Sequence, residues 1–130
     1  MAIAFDAAST VSKTSGTATT ISWTHTVAAG TTGRILVVAA SWETTASSLA
    51  NTTNVTYAGS TLTRAITARN ETASSFIHVT ELWYSTNPAA GANTVQITWA
   101  ATTLSVASGQ LAASFTGTTG IGNTTKSTGA

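Results

Sequence analysis

The sequence predicts an all-β fold: an antiparallel two-sheet sandwich of about eight strands, expected in a jelly-roll arrangement with extended N- and C-terminal arms. Three observations carry this. Apolar residues recur with period two in segment after segment, the mark of strands with one buried face. Threonine supplies 30 of the 130 residues, and with 15 Ser and 24 Ala it dominates the composition; a β-branched side chain favours strands and its hydroxyl wets an outer face. No stretch combines a 3.6-residue period with helix caps.

In chain order, residues 20–27 alternate Ile21, Trp23, His25 and Val27 against Thr20, Ser22, Thr24 and Thr26, a half-buried strand. A Gly-containing loop precedes 34–42 (RILVVAASW), nearly continuous in apolar residues and expected as a central strand covered on both faces. Residues 43–53 have no clear period and are expected as a loop with some helical character. Residues 55–57 and 61–64 flank a Gly-containing turn, a hairpin signal, and 70–75 follow as another loop. A second long strand, 76–84, is expected to stop at Asn87-Pro88, because proline lacks an N–H and biases its predecessor to extended geometry. Val95, Ile97 and Trp99 alternate with Gln96 and Thr98. Residues 104–106 and 111–116 complete a last, interrupted strand, with Gly109 expected at a bulge or turn.

Length fits one compact domain, 1–116, with 117–130 a Gly/Thr-rich arm expected to be loose unless a partner holds it. Area scaling expects roughly 6,400 Å² of exposed surface for a folded chain of this mass. Cysteine is absent and charged residues are only 7%, so disulfides and thiolate metal sites are out. A net charge of +1 argues against nucleic acid as a partner. No apolar run approaches the length of a membrane span. The start, Met1 to Asp6, lacks the basic and apolar regions of an export signal, so synthesis in a host cytoplasm is expected.

Chemistry has little to work with. The acids are Asp6, Glu43, Glu71 and Glu81, and the histidines are His25 and His78. His25 has the apolar phase of its strand and reads as a hydrogen-bonded inward histidine. His78 and Glu81 have opposite parity and cannot form a dyad. No catalytic residue, metal site or cofactor is expected, although calcium held by loop carbonyls stays open. Glu81 shares the inward phase of Ile77, Val79 and Trp83, so it needs a cation; Arg34 or Arg64 can supply it, and the expected structural ion pair is Glu81 with Arg34. Trp23, Trp83 and Trp99 read as core, leaving Trp42 and Tyr84 as the only aromatic residues placed to stack on a sugar.

The segments 33–42 (GRILVVAASW), 55–63 (VTYAGSTLT), 81–88 (ELWYSTNP) and 91–95 (GANTV) together resemble a β-sandwich module of bacterial surface proteins and of structural proteins of tailed bacteriophages. The likeness covers roughly 33–116. It implies a structural and adhesive role with no catalytic residues. A chain that begins at Met1 without an export signal looks most like a capsid decoration (cement) protein, carried on the outer surface of the virion. The partners then expected are the major capsid protein lattice and further copies of this chain, as a trimer or dimer. Met1, Ala2, Ile3, Ala4, Phe5, Ile121, Asn123 and Lys126 are the expected interface residues, because short apolar arms suit strand addition to a neighbour's sheet edge. The rival expectations are a sugar-binding or adhesion module of a tail or cell surface, and a self-assembling extracellular filament subunit.

Overall fold

The computed structural model describes residues 2–13, 19–30, 32–44, 52–71, 77–99 and 108–125. Strands β1 (Ala4–Lys13), β2 (Thr20–Val27), β3 (Ile35–Thr44), β4 (Thr52–Tyr57), β5 (Ser60–Thr61), β6 (Thr63–Glu71), β7 (Ile77–Thr86), β8 (Gly91–Trp99) and β9 (Ser108–Thr116) follow one another. Every pairing is antiparallel. They form a front sheet of five strands in the order β1-β9-β3-β7-β6 and a back sheet of four in the order β2-β8-β4-β5. The surface, 6925 Å², is close to what the length alone predicts.

The core is the inner face of each sheet. Leu36, Val38, Ala40 and Trp42 of β3, Val79 and Trp83 of β7 and Ala112 of β9 meet Val27, Val55, Tyr57, Val95, Ile97 and Trp99 of the back sheet. Trp42 and Trp99 make an edge-to-face pair with ring centroids 5.9 Å apart, which joins the sheets through a favourable aromatic geometry. Both indole N–H groups are buried without an acceptor, so burial and ring packing, not hydrogen bonding, hold these two side chains.

Local chemistry explains the turns. Ala58 and Gly59 both have positive φ, 50° and 79°, the two-residue turn that matches strand twist in a hairpin. Leu62 is the corner where the chain leaves the back sheet and enters the front one, and its N–H is held by the Val55 carbonyl at 2.8 Å. Asn87 ends β7, but with φ 58° and not in the extended geometry expected before Pro88. Asparagine tolerates this left-handed conformation, and its N–H donates to the Arg34 carbonyl at 2.7 Å.

Several expectations change. β3 is central, yet only one face is fully buried; Val37, Ala39 and Ser41 on the other are partly open. Gly109 lies in register between Ser12 and Ser41 with no bulge. Register shifts fall instead between Phe5 and Ala7 of β1, between Thr52 and Asn54 of β4 and between Arg64 and Ile66 of β6. Residues 65–69, not assigned to a strand from sequence, belong to β6 because β7 supplies a full-length partner. Ala4 and Phe5 are the first residues of β1, not a free arm. Residues 45–51, 72–75 and 104–106, expected as loop or strand, lie outside the described residues, as do Met1 and Lys126.

Candidate functional site

A buried histidine and an aspartate are brought into one network where β1, β2 and β9 meet. His25 of β2 is 1% exposed. Its Nδ1 lies 2.9 Å from Ser9 Oγ of β1 and its Nε2 lies 3.1 Å from Ser114 Oγ of β9. Ser114 Oγ donates to Asp6 Oδ2 at 2.7 Å, and the Ala28 N–H donates to the same oxygen at 2.9 Å. Trp23 Nε1 donates to Ser9 Oγ at 2.9 Å.

Proton counting fixes one end of this chain: Ser114 spends its one proton on Asp6, so it accepts from His25 Nε2–H. Burial favours the neutral imidazole, and in that form Nδ1 accepts from Ser9, which in turn accepts from Trp23. Burial pushes the His25 pKa below its ordinary value, and the Asp6 charge pulls it partly back. The bulge at Asp6 is what turns that carboxylate inward, toward Ser114.

The arrangement contains a serine, a histidine and an aspartate, but it works as a clasp. The imidazole is enclosed, and each polar atom named is consumed by a neighbour in the network. The inward, hydrogen-bonded reading of His25 from its strand phase agrees with this. Asp6 stands in the sequence only as one of four acids, and nothing singles out Ser9 or Ser114, because which strands lie beside β2 is a property of topology.

Glu81 is also buried, 0% exposed, and Arg64 Nη1 stands 3.4 Å from its Oε1. Thr67 Oγ1 donates to the same oxygen at 3.3 Å and Trp83 Nε1 donates to Oε2 at 3.0 Å. The Arg64 guanidinium lies 5.7 Å from the Trp83 ring centroid. The expected Glu81–Arg34 pair is therefore corrected. Glu81 faces Ala40 on β3, six residues from Arg34, a distance of about 20 Å along a strand. Arg34 instead reaches Asn87, with Nη2 donating to Oδ1 at 3.3 Å. His78 and Glu81 indeed form no dyad; His78 faces Glu43, Nδ1 to Oε2 at 3.1 Å, a cross-strand contact not foreseen. No group of three metal-ligating residues occurs among the described residues.

Trp42 is 2% exposed, so it cannot stack on a sugar as expected; its strand phase carries it into the core opposite Trp99. Tyr84 is half-buried on the outer face of the front sheet, beside Val37 and Thr63. Among the expected interface residues, Ile3 and Phe5 are 68% and 66% exposed, and Ile121 is 38% exposed. Asn123 is exposed.

The two outer faces differ sharply. Residues directly opposite in antiparallel strands share a face. On the front sheet one row runs Leu111–Ala39–Leu82–Ile66, the next Ala8–Ala113–Val37–Tyr84–Thr63, and the next Phe5–Phe115–Ile35–Thr86. No charged side chain stands in these rows. Leu82 and Leu111 are 37% and 39% exposed, and Phe5 meets Phe115 edge-to-face at 6.0 Å. The back sheet presents Thr20, Ser22, Thr24, Thr26, Thr94 and Gln96 instead.

No family model, curated protein or solved structure matches this chain. Its function is therefore argued from the faces and edges themselves.

Residues 117–125 lie against their own domain. Thr118 donates from both N and Oγ1 to the Gly33 carbonyl, at 2.8 and 2.9 Å, and Thr124 Oγ1 donates to the Ala65 carbonyl at 3.5 Å. Contacts within the chain thus give this segment partners that composition alone did not promise. No helix of the described residues is long and apolar enough to cross a membrane.

Proposed function

We propose that this chain is a non-enzymatic structural protein, a capsid decoration protein that docks by the outer face of its front sheet onto a major capsid lattice. The observation that carries the reading is the difference between the outer faces: one has three apolar, uncharged rows before the Ser41–Thr80 and Glu43–His78 rows turn it polar, the other is covered in hydroxyl groups. From strand spacing, the three apolar rows span on the order of 400 Å². That is the size of the largest apolar patch on an ordinary monomer, which is often functional, and it falls short of a standard stable interface, about 800 Å² per partner. A single contact of this size is weak, and repetition over a lattice, or a trimer or dimer of this chain, raises occupancy through effective concentration. The hydroxyl-covered back sheet then faces solvent.

The strand orders support a jelly-roll reading of the sandwich, with β1-β9-β3-β7 facing β2-β8-β4-β5 and β6 appended at the edge. The resemblance of residues 33–116 to phage structural modules supports the virion setting. The sugar-binding alternative loses its main support with Trp42 in the core.

The test is co-sedimentation with undecorated heads of the phage that encodes the chain. Wild-type protein is expected to bind with saturable stoichiometry. A Leu82→Lys/Leu111→Lys variant is expected to bind at least tenfold more weakly, while Ser22→Lys/Gln96→Lys on the opposite face binds as wild type. Absence of wild-type binding, or equal binding by both variants, overturns the proposal.

A further inference from the structure

Where β3 begins, three segments converge on a pocket of about 170 Å³. Gly33, Arg34, Thr86, Asn87, Thr118 and Thr119 stand in its wall. Its frame is rigidly set. Gly33 has φ 65°, and a Cβ there would run into the Thr118 carbonyl oxygen, so glycine alone permits the approach. Asn87, also left-handed, is bonded through its N–H to the Arg34 carbonyl.

The guanidinium in this wall is poorly served. Its Nη2 makes one long bond, 3.3 Å, to Asn87 Oδ1. Its Nε is buried with no acceptor. An arginine offers five N–H donors and no acceptor, and an enclosed donor without a partner is costly. The described carboxylates of Asp6, Glu43 and Glu81 are engaged elsewhere. Among the described residues no carboxylate reaches Arg34, which leaves it open to one supplied by a ligand.

We propose that this pocket is a carboxylate-binding site, in which Arg34 takes the ligand end-on through its two Nη groups, the buried Nε being closed to a ligand. Planar carboxylate geometry matches that fork and a tetrahedral anion does not use it as well. The volume holds about five water-sized groups, enough for a carboxylate on a short alkyl stem. Thr118 Oγ1, which spends its proton on the Gly33 carbonyl, still has lone pairs for a bridging water. The pocket adjoins the Phe115–Ile35–Thr86 row of the apolar face. An acidic side chain rising from an apolar partner surface fits both features at once; that protein source, though not the carboxylate site itself, rests on the docking reading above.

The test uses the isolated protein, without capsids, so that its outcome is separate from the docking assay. Sodium glutarate is titrated at constant ionic strength while the Arg34 Nε–H and the Thr119 and Gly120 amides are followed by NMR. Saturable shifts confined to these groups, with a millimolar Kd, are expected. Arg34→Gln is expected to weaken binding at least tenfold with the rest of the spectrum unchanged. Asn87→Asp, which tolerates the same backbone conformation and hands Arg34 an internal carboxylate, is expected to do the same. A blocked peptide carrying one glutamate between leucines tests the protein source, and glutarate tests the free acid. Shifts that fail to saturate, that persist in both variants, or that sodium sulfate reproduces with equal affinity overturn the carboxylate assignment.

Discussion

His25 Nε2 lies 3.1 Å from Ser114 Oγ, and this contact passes a hydrogen bond from the back sheet into the front sheet. It is one link of a directional chain from the Trp23 indole to the Asp6 carboxylate, and the directions hold only while the imidazole is neutral. A second proton on His25 would give Nδ1 a donor aimed at Ser9, whose hydroxyl proton already points back at it.

Stability is therefore expected to fall on acidification. Burial lowers the folded His25 pKa below its ordinary value, so below about 6.5 the unfolded chain takes up a proton that the folded chain refuses. The contribution is fully present above the unfolded pKa. It is lost as pH falls through that value and levels off below the folded one. One proton bounds the slope at about 1.4 kcal/mol per pH unit. Urea unfolding at intervals from pH 7.5 to 5 measures it, and His25→Gln is expected to remove this part of the slope while lowering stability throughout.

Ser114→Ala removes the only group that both accepts from His25 and donates to Asp6. It leaves a buried imidazole N–H without its partner, and Asp6 keeps the Ala28 N–H alone of the two donors described here. Loss of about 1–3 kcal/mol is expected, read as a lower urea midpoint with unchanged m-value. A midpoint equal to wild type would show that the clasp carries no stability.

Strand phase was the strong signal in this sequence, because a period of two is set by the chain itself. It put His25, Glu81, Val95, Ile97 and Trp99 inward, where the structure has them. What it could not reach was adjacency. Ser9 and Ser114 are ordinary small residues until β1 and β9 are known to lie side by side, and Asp6 turns inward through a bulge that no turn residue announces. The same gap misassigned the cation of Glu81: Arg34 and Arg64 are equal in sequence, and only the β6–β7 register puts Arg64 opposite Trp83. Trp42 shares its parity with Leu36, Val38 and Ala40, and that parity, not its availability for a sugar, decides its place in the core. The apolar front face was half legible, in the near-continuous hydrophobicity of β3.

The two arginines are expected to differ in kind. Arg64 is half exposed but pairs with a carboxylate that is not, so Arg64→Met leaves Glu81 buried with less compensation and costs about 1–3 kcal/mol. Arg34→Met removes no contact with a carboxylate of the described residues and is expected to leave the urea midpoint within about 0.5 kcal/mol of wild type. Equal costs for the two variants would refute the assignment of the ion pair.

Gly33 and Gly30 offer a matched pair for testing how the C-terminal segment is held. Both have positive φ, 65° and 74°, so alanine strains the backbone at either position. At Gly30 an added Cβ meets nothing within 4 Å, whereas at Gly33 it runs into the backbone of Thr118. Gly30→Ala therefore isolates the conformational cost, about 1 kcal/mol. Gly33→Ala adds displacement of Thr118, whose N–H and hydroxyl both depend on the Gly33 carbonyl. Hydrogen exchange of the Thr118 amide is expected to speed up at least tenfold in Gly33→Ala and to stay near wild type in Gly30→Ala. Amides of β3 and β7 keep their protection in both variants, because their ladder bonds lie beyond the point of contact. If the Thr118 amide exchanges equally fast in both variants, backbone strain and not the close approach governs this segment.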